Sequence, residues 1–169
     1  MKMTKLFLLL ASIGVLAISS DGSAVAGSAV ATPALQVSVV VSNNCIITTV
    51  PVVFPAYDPI VTHTVGNPDH STSGSVTITC NKGGGTSIAL GLGAQPNAGQ
   101  PRMANGTDFL NYKLYSDSTW SSLWSGAALT IAGAASQAPQ TFSVYGEIPG
   151  GQPAVTGTYS DTVVATVNF

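Results

Sequence analysis

Tyr159-Ser160-Asp161-Thr162-Val163-Val164-Ala165-Thr166-Val167-Asn168-Phe169 is the stretch that decides the fold. Its apolar residues recur at every second position, so Tyr159, Val163, Ala165, Val167 and Phe169 share one face, interrupted at Asp161. Period two predicts a β-strand with one buried side. The sequence stops on an aromatic residue inside that strand, whereas most domains end in a loosely held, solvated tail. A strand-final Phe169 with no turn after it predicts a sheet that ends one strand early. Such a sheet has an open edge that another strand can occupy.

Near the other end, Leu35, Val37, Val39 and Val41 alternate with Gln36, Ser38, Val40 and Ser42. This pattern predicts a second extended segment with one apolar face, ended by Asn43-Asn44. The two segments complement each other. A spare amphipathic strand in one molecule can fill the open edge of the next, and head-to-tail donation does not close on itself, so it builds a filament. The pattern alone equally admits an N-terminal strand that folds back onto its own domain.

Short strand-like runs fill the middle: Cys45 to Phe54, Gly74 to Cys80, Thr86 to Leu92, Phe109 to Tyr115 and Gln140 to Ile148. Turn signals separate them, among them Lys82-Gly83-Gly84-Gly85 and the hairpin dipeptide Asn105-Gly106. Regular short strands with turns between them predict an all-β, antiparallel sandwich. The composition agrees. Charged residues are 7% of the chain and the net charge is −2, with 18 Gly and 10 Pro. After the leader only Lys82, Arg102 and Lys113 remain as fixed cations, which excludes a nucleic-acid binder built on a basic stripe.

Lys2 and Lys5 precede an apolar run from Leu6 to Ile18, and Ala24-Val25-Ala26 offers a cleavage site. The run is short for a membrane span, so it reads as a signal peptide of residues 1–26, with cleavage after Ala31 as the alternative. No later stretch is long and apolar enough to span a bilayer. The expected organisation is a leader at 1–26, a donor strand at 27–42 and a sandwich domain at 43–169. In an exported chain, Cys45 and Cys80 predict one disulfide, the alternative being two free thiols. A bond across that separation contributes about 3–4 kcal/mol by restricting the unfolded chain.

Catalytic and metal chemistry is hard to assemble. His63, Asp69, His70 and Asp58 could be drawn together, but their spacing fits no zinc pattern, and a solvated loop is the expected reading. There is no nucleophile elbow and no phosphate loop, since Gly83-Gly84-Gly85-Thr86 lacks the required lysine. No catalytic residue, metal ligand or cofactor site is expected. Trp120 and Trp124 with Tyr112 and Tyr115 could form a sugar platform, but Trp124 and Tyr112 are expected in the core. Asp161, beside Thr162, is expected to tune strand pairing or cap a turn.

The sequence resembles the spore coat protein U domain, which is also the pilin domain of archaic chaperone–usher pili. The resemblance runs over the whole mature chain. Its marks are Cys45-Ile46-Ile47 leading to Val53-Phe54 and Tyr57-Asp58, Gly74 to Cys80, Leu110 to Asp117, Trp124, and Val144-Tyr145-Gly146. The most specific mark is the terminal block from Gly157 to Phe169. One departure is Pro55-Ala56 after Phe54, where the family usually has glycine, so the local turn is open.

The resemblance implies an immunoglobulin-like antiparallel β-sandwich that is incomplete, lacking its last strand. A periplasmic pilus chaperone would lend a strand and hold the carboxylate of Phe169. An outer-membrane usher would then exchange it for the N-terminal segment of the next copy or of a sister subunit. Leu35, Val37, Val39 and Val41 would be the donor plugs. Tyr159, Val163, Ala165, Val167 and Phe169 would line the acceptor groove, and Cys45–Cys80 would pin two early strands. The product would be a surface pilus used in attachment and biofilm formation. Alternative readings are a spore- or cell-coat protein of the same fold and a secreted monomeric carbohydrate-binding module.

Overall fold

A computed structural model describes residues 33–85, 87–132 and 137–169. The leader, both cleavage sites and residues 27–32 of the expected donor segment lie outside the described residues. The chain divides into two units, 1–39 and 40–169. In the first unit, residues 33–39 form neither strand nor helix.

The second unit contains strands and turns but, among the described residues, no helix. The strands are β1 (Cys45–Val50), β2 (Asp69–Cys80), β3 (Ser87–Leu90), β4 (Arg102–Asn105), β5 (Asp108–Asn111), β6 (Lys113–Tyr115), β7 (Ala128–Thr130), β8 (Gln140–Ile148) and β9 (Ala165–Asn168). One sheet has the order β1-β2-β8-β6, a second the order β7-β3-β9, and β4-β5 is a hairpin. Every ladder between named strands is antiparallel. Asn105-Gly106 does turn the β4–β5 hairpin: Asn105 pairs with Asp108, and Gly106 has φ +62°.

Alternation explains which side is inside. In β2, Val76, Ile78 and Cys80 are buried, and Thr77 and Thr79 between them are half-buried. Ile88 and Leu90 of β3, Val144 and Ile148 of β8, and Leu110, Tyr112 and Leu114 complete the core with Trp124. Trp124 ties the two sheets together. Its backbone N–H donates to Leu114 O of β6 at 2.7 Å, and its indole Nε1–H donates to Ile88 O of β3 at 2.9 Å. Cys45 and Cys80 are disulfide-bonded, joining the first residue of β1 to its ladder partner at the end of β2.

Three runs differ from expectation. The run from Cys45 stops at Val50, because Pro51 has no N–H for a ladder. The run from Phe109 to Tyr115 is broken at Tyr112, where the chain leaves the β4 hairpin for the first sheet. The terminal run is a ladder strand only over Ala165–Asn168. Ser160 bridges Ala104, so the segment is handed from β4 to β3 and residues 161–164 belong to neither ladder. Residues 33–44 also form no strand in the single chain. Alternation marks a face, but a strand exists only where a partner takes up its backbone groups.

Candidate functional site

The first sheet ends on β1 and the second on β9. Between these edges lies a groove of about 300 Å³ whose lining residues are mostly apolar. One wall is Thr49 to Val52 with Phe54, and the other is Tyr159 to Asp161 with Val163 and Ala165. Val76, Leu90, Tyr112, Leu114 and Val144 reach it from the core.

The first wall is held without a ladder. The Val53 N–H donates to Ser73 Oγ at 2.7 Å, and the Ser71 hydroxyl donates to Val53 O at 2.6 Å. Two serines of β2 thereby replace the strand pairing that Pro51 interrupts. Val52 and Phe54 can lie against the sheet only because two positions lack side chains. A Cβ on Gly74 would stand 2.3 Å from Val52 Cγ2, and one on Gly146 would stand 2.5 Å from Phe54 Cζ.

The second wall is fixed by Asp161. Its carboxylate accepts the Tyr112 hydroxyl at 2.6 Å, the Ala94 N–H at 2.8 Å and the Thr162 N–H at 2.7 Å. Tyr112 is only 3% exposed. Burial, with the Asp161 carboxylate as acceptor, pushes the Tyr112 hydroxyl above its ordinary range, so it stays a neutral donor. Gly93, at φ +79°, gives the carboxylate its place, since a Cβ there would stand 1.8 Å from Asp161 Oδ2. Asp161 thus does more than cap a turn: it is an inward position of the terminal segment, tied to the body of the domain.

Tyr159, Val163 and Ala165 line the groove. Val167 is half-buried opposite Ile88 and Phe169 is half-exposed; neither is among the lining residues. Leu35, Val37, Val39 and Val41 are exposed, Val37 to 87%. The wall from Thr49 to Phe54 was missed in the sequence. The signals available were Pro51 and the paired glycines Gly74 and Gly146, but their meaning depends on which segments meet.

The histidine region is not the solvated loop that its composition suggested. His63 and Asp69 are buried, with Nε2 of His63 3.7 Å from Asp69 Oδ1. The Asp58 N–H donates to His63 Nδ1 at 3.0 Å, and Tyr57 stacks on the imidazole. The turn is closed by the Gly151 N–H, which donates to His63 O at 2.7 Å across a long sequence separation. His70 points elsewhere, stacked on Trp120 at 3.9 Å and 3.7 Å from Glu147. Among the described residues no three His, Cys, Asp or Glu side chains are grouped to hold a metal. The sugar platform is likewise taken apart, because Trp124 and Tyr112 are core residues.

Burial pushes the Asp69 carboxyl above its ordinary value of 3.8, while His63 works in the opposite direction. Between 3.8 and that raised value the folded state binds more protons than the unfolded state, so this group's contribution to stability falls as pH rises through the window. Asp69→Asn removes the titration. Urea midpoints measured from about pH 4 to about pH 7 should show the variant gaining on the native protein as pH rises. Parallel curves would mean that Asp69 carries no such linkage.

The fold and the groove define a class: antiparallel β-sandwiches in which a cleft lined mostly by apolar residues lies between the end strands of the two sheets, here β1 and β9 among the described residues. Within that class, the chain belongs to the Spore Coat Protein U domain family, whose profile matches residues 31–166. It is 38% identical over 127 residues to Protein U of Myxococcus xanthus, covering 69% of this chain and 70% of that protein. Its structure is similar to a chain in the crystal structure of the CsuC–CsuE chaperone–tip adhesion subunit pre-assembly complex from archaic chaperone–usher Csu pili of Acinetobacter baumannii. The TM-score is 0.55 and the identity 25%, over 76% of this chain and 40% of that one.

Proposed function

We propose that the protein is an exported, non-catalytic structural subunit that polymerises by donor-strand exchange into a surface pilus of the chaperone–usher type. The observation that carries this reading is the groove, lined mostly by apolar residues, between β1 and β9, the end strands of the two sheets among the described residues. An exposed apolar cleft beside unpaired backbone is an aggregation hazard for a lone subunit, so it calls for an occupant at every stage. A periplasmic chaperone supplies that strand first, and the chaperone–subunit nature of the similar Csu complex supports this step. An outer-membrane usher then exchanges it for residues 27–42 of the next copy or of a sister subunit. Leu35, Val37, Val39 and Val41 enter the groove as plugs. At about 1.5–3 kcal/mol for each buried side chain, the four contribute roughly 6–12 kcal/mol. The fibre serves attachment and biofilm formation at the cell surface. The disulfide suits a chain that folds in an oxidising compartment after removal of residues 1–26.

The family and the likeness to Protein U favour one second reading, a spore- or cell-coat protein assembled by the same exchange. The test is an SDS gel of periplasmic extract, unheated and boiled, with the chain expressed alone and with its chaperone. Strand exchange gives a ladder that survives SDS and collapses to one band on boiling. A stable monomer without chaperone would overturn polymerisation in both readings. Immunogold labelling separates the two: thin fibres support the pilus, and a continuous layer supports the coat.

A further inference from the structure

We propose that the outer face of the first sheet carries a saccharide site, formed by Trp120, His70, Tyr145, Glu147 and Lys113, that takes a neutral β-linked glucan. None of these residues lines the groove, so the site does not depend on strand exchange.

Trp120 is held in an unfavourable state. Its φ is +53°, in the left-handed region that a bulky side chain rarely adopts. Its indole Nε1–H is buried and has no acceptor among the described residues. The loop that carries it is fixed independently of the indole. The Asp117 carboxylate accepts the N–H groups of Thr119 at 2.9 Å and Ser122 at 2.6 Å, and the Ser116 N–H donates to Ser122 O at 3.0 Å, closing the loop at its base. Backbone strain and an unpaired buried donor both cost free energy, and such costs collect where geometry serves a ligand.

The indole lies with one face on His70 of β2, at 3.9 Å, and meets the Tyr145 ring of β8 edge-on at 6.4 Å. Beside this aromatic wall runs a polar row set by strand register: His70 pairs with Glu147, and Glu147 with Lys113 of β6. The Glu147 carboxylate stands 3.7 Å from His70 Nε2 and 3.6 Å from Lys113 Nζ, close enough to compensate charge and too far for tight hydrogen bonds. His70 is exposed and the other four residues are half-buried, so the group is open to solvent.

This chemistry selects its ligand. Lys113 and Glu147 neutralise each other, so the row offers a donor and an acceptor side by side without a net charge from that pair. Vicinal hydroxyls match that arrangement, whereas an acidic or basic chain leaves one of the two groups opposed. The electron-rich face of an aromatic ring favours polarised C–H groups. A β-linked glucan has all its ring substituents equatorial, so its faces present only C–H. Its hydroxyl oxygens also supply the acceptor that the indole N–H lacks.

Calorimetric titration of the chaperone-bound full chain with cellohexaose, with free chaperone as the blank, tests the site. Binding should be tighter than for mannohexaose, which has an axial hydroxyl on each ring, or for an oligogalacturonate. Trp120→Gly relieves the backbone and removes the wall, so it should weaken binding at least about tenfold without lowering the urea midpoint. Glu147→Gln keeps the size and loses the charged acceptor, and should also weaken binding. If Trp120→Gly fails to fold, Trp120→Phe, which keeps a ring on His70, reads the N–H alone through a smaller loss. No binding by the native chain, or variants that bind as it does, overturns the site. Preference for the oligogalacturonate overturns the neutral ligand.

Discussion

Val37→Asp is expected to eliminate the SDS-resistant ladder while the chaperone-bound subunit stays folded. Val37 is 87% exposed and lies outside any strand in the single chain, so the substitution removes no packing from the domain. Its effect falls on the assembled state. There it forfeits about 1.5–3 kcal/mol of apolar burial and adds a carboxylate whose desolvation in an apolar site has no compensating partner. A combined penalty of roughly 4–6 kcal/mol weakens each junction by about a thousandfold or more, which no SDS-resistant ladder survives. Val40→Asp is the control. It lies on the opposite face of the same segment and should leave the ladder intact. Unheated and boiled gels, with circular dichroism of the chaperone complex, check both variants. A ladder that tolerates Val37→Asp would move the donor elsewhere in the chain.

Asp161→Ala is expected to lower stability by roughly 2–5 kcal/mol, because it leaves the buried Tyr112 hydroxyl and two backbone N–H groups without their acceptor. The same change frees the terminal segment just where it belongs to neither ladder, so the groove wall loses its anchor and assembly falls with stability. Asp161→Asn separates charge from geometry. Its amide oxygen still accepts the two N–H groups, and its amide nitrogen can donate to the Tyr112 oxygen, so most of the stability should return. Urea unfolding followed by tryptophan fluorescence reads the first effect, since Trp124 lies in the core, and the gel ladder reads the second. Equal losses in the two variants would show that the negative charge, and not the hydrogen-bonded fit, holds the segment.

Much of the fold was legible because its code is local. Period two marked the inward faces of β2 and β8 and of the Leu110, Tyr112, Leu114 series. Gly106 made the β4–β5 turn readable. Pairing Cys45 with Cys80 required only that the chain be oxidised. The same local code overreached in the terminal run. Alternation continues from Tyr159 to Val167, yet ladder pairing covers only its second half, because the partners available to residues 161–164 are set by where β4 ends and β3 begins.

By itself, then, the sequence determined the class of fold, the faces of its strands, the single disulfide and the alternating apolar pattern of Leu35, Val37, Val39 and Val41. Tertiary structure alone decided that Pro51 to Phe54 would face Tyr159 to Ala165 across an open cleft, that Asp161 would reach Tyr112 and Ala94, and that His63 would be buried with its carbonyl bonded to the distant Gly151. Strand periodicity is written in neighbouring residues, which any short window contains. A groove is written in the meeting of segments distant along the chain, and the residues that form it carry no common pattern until the sheets have brought them together.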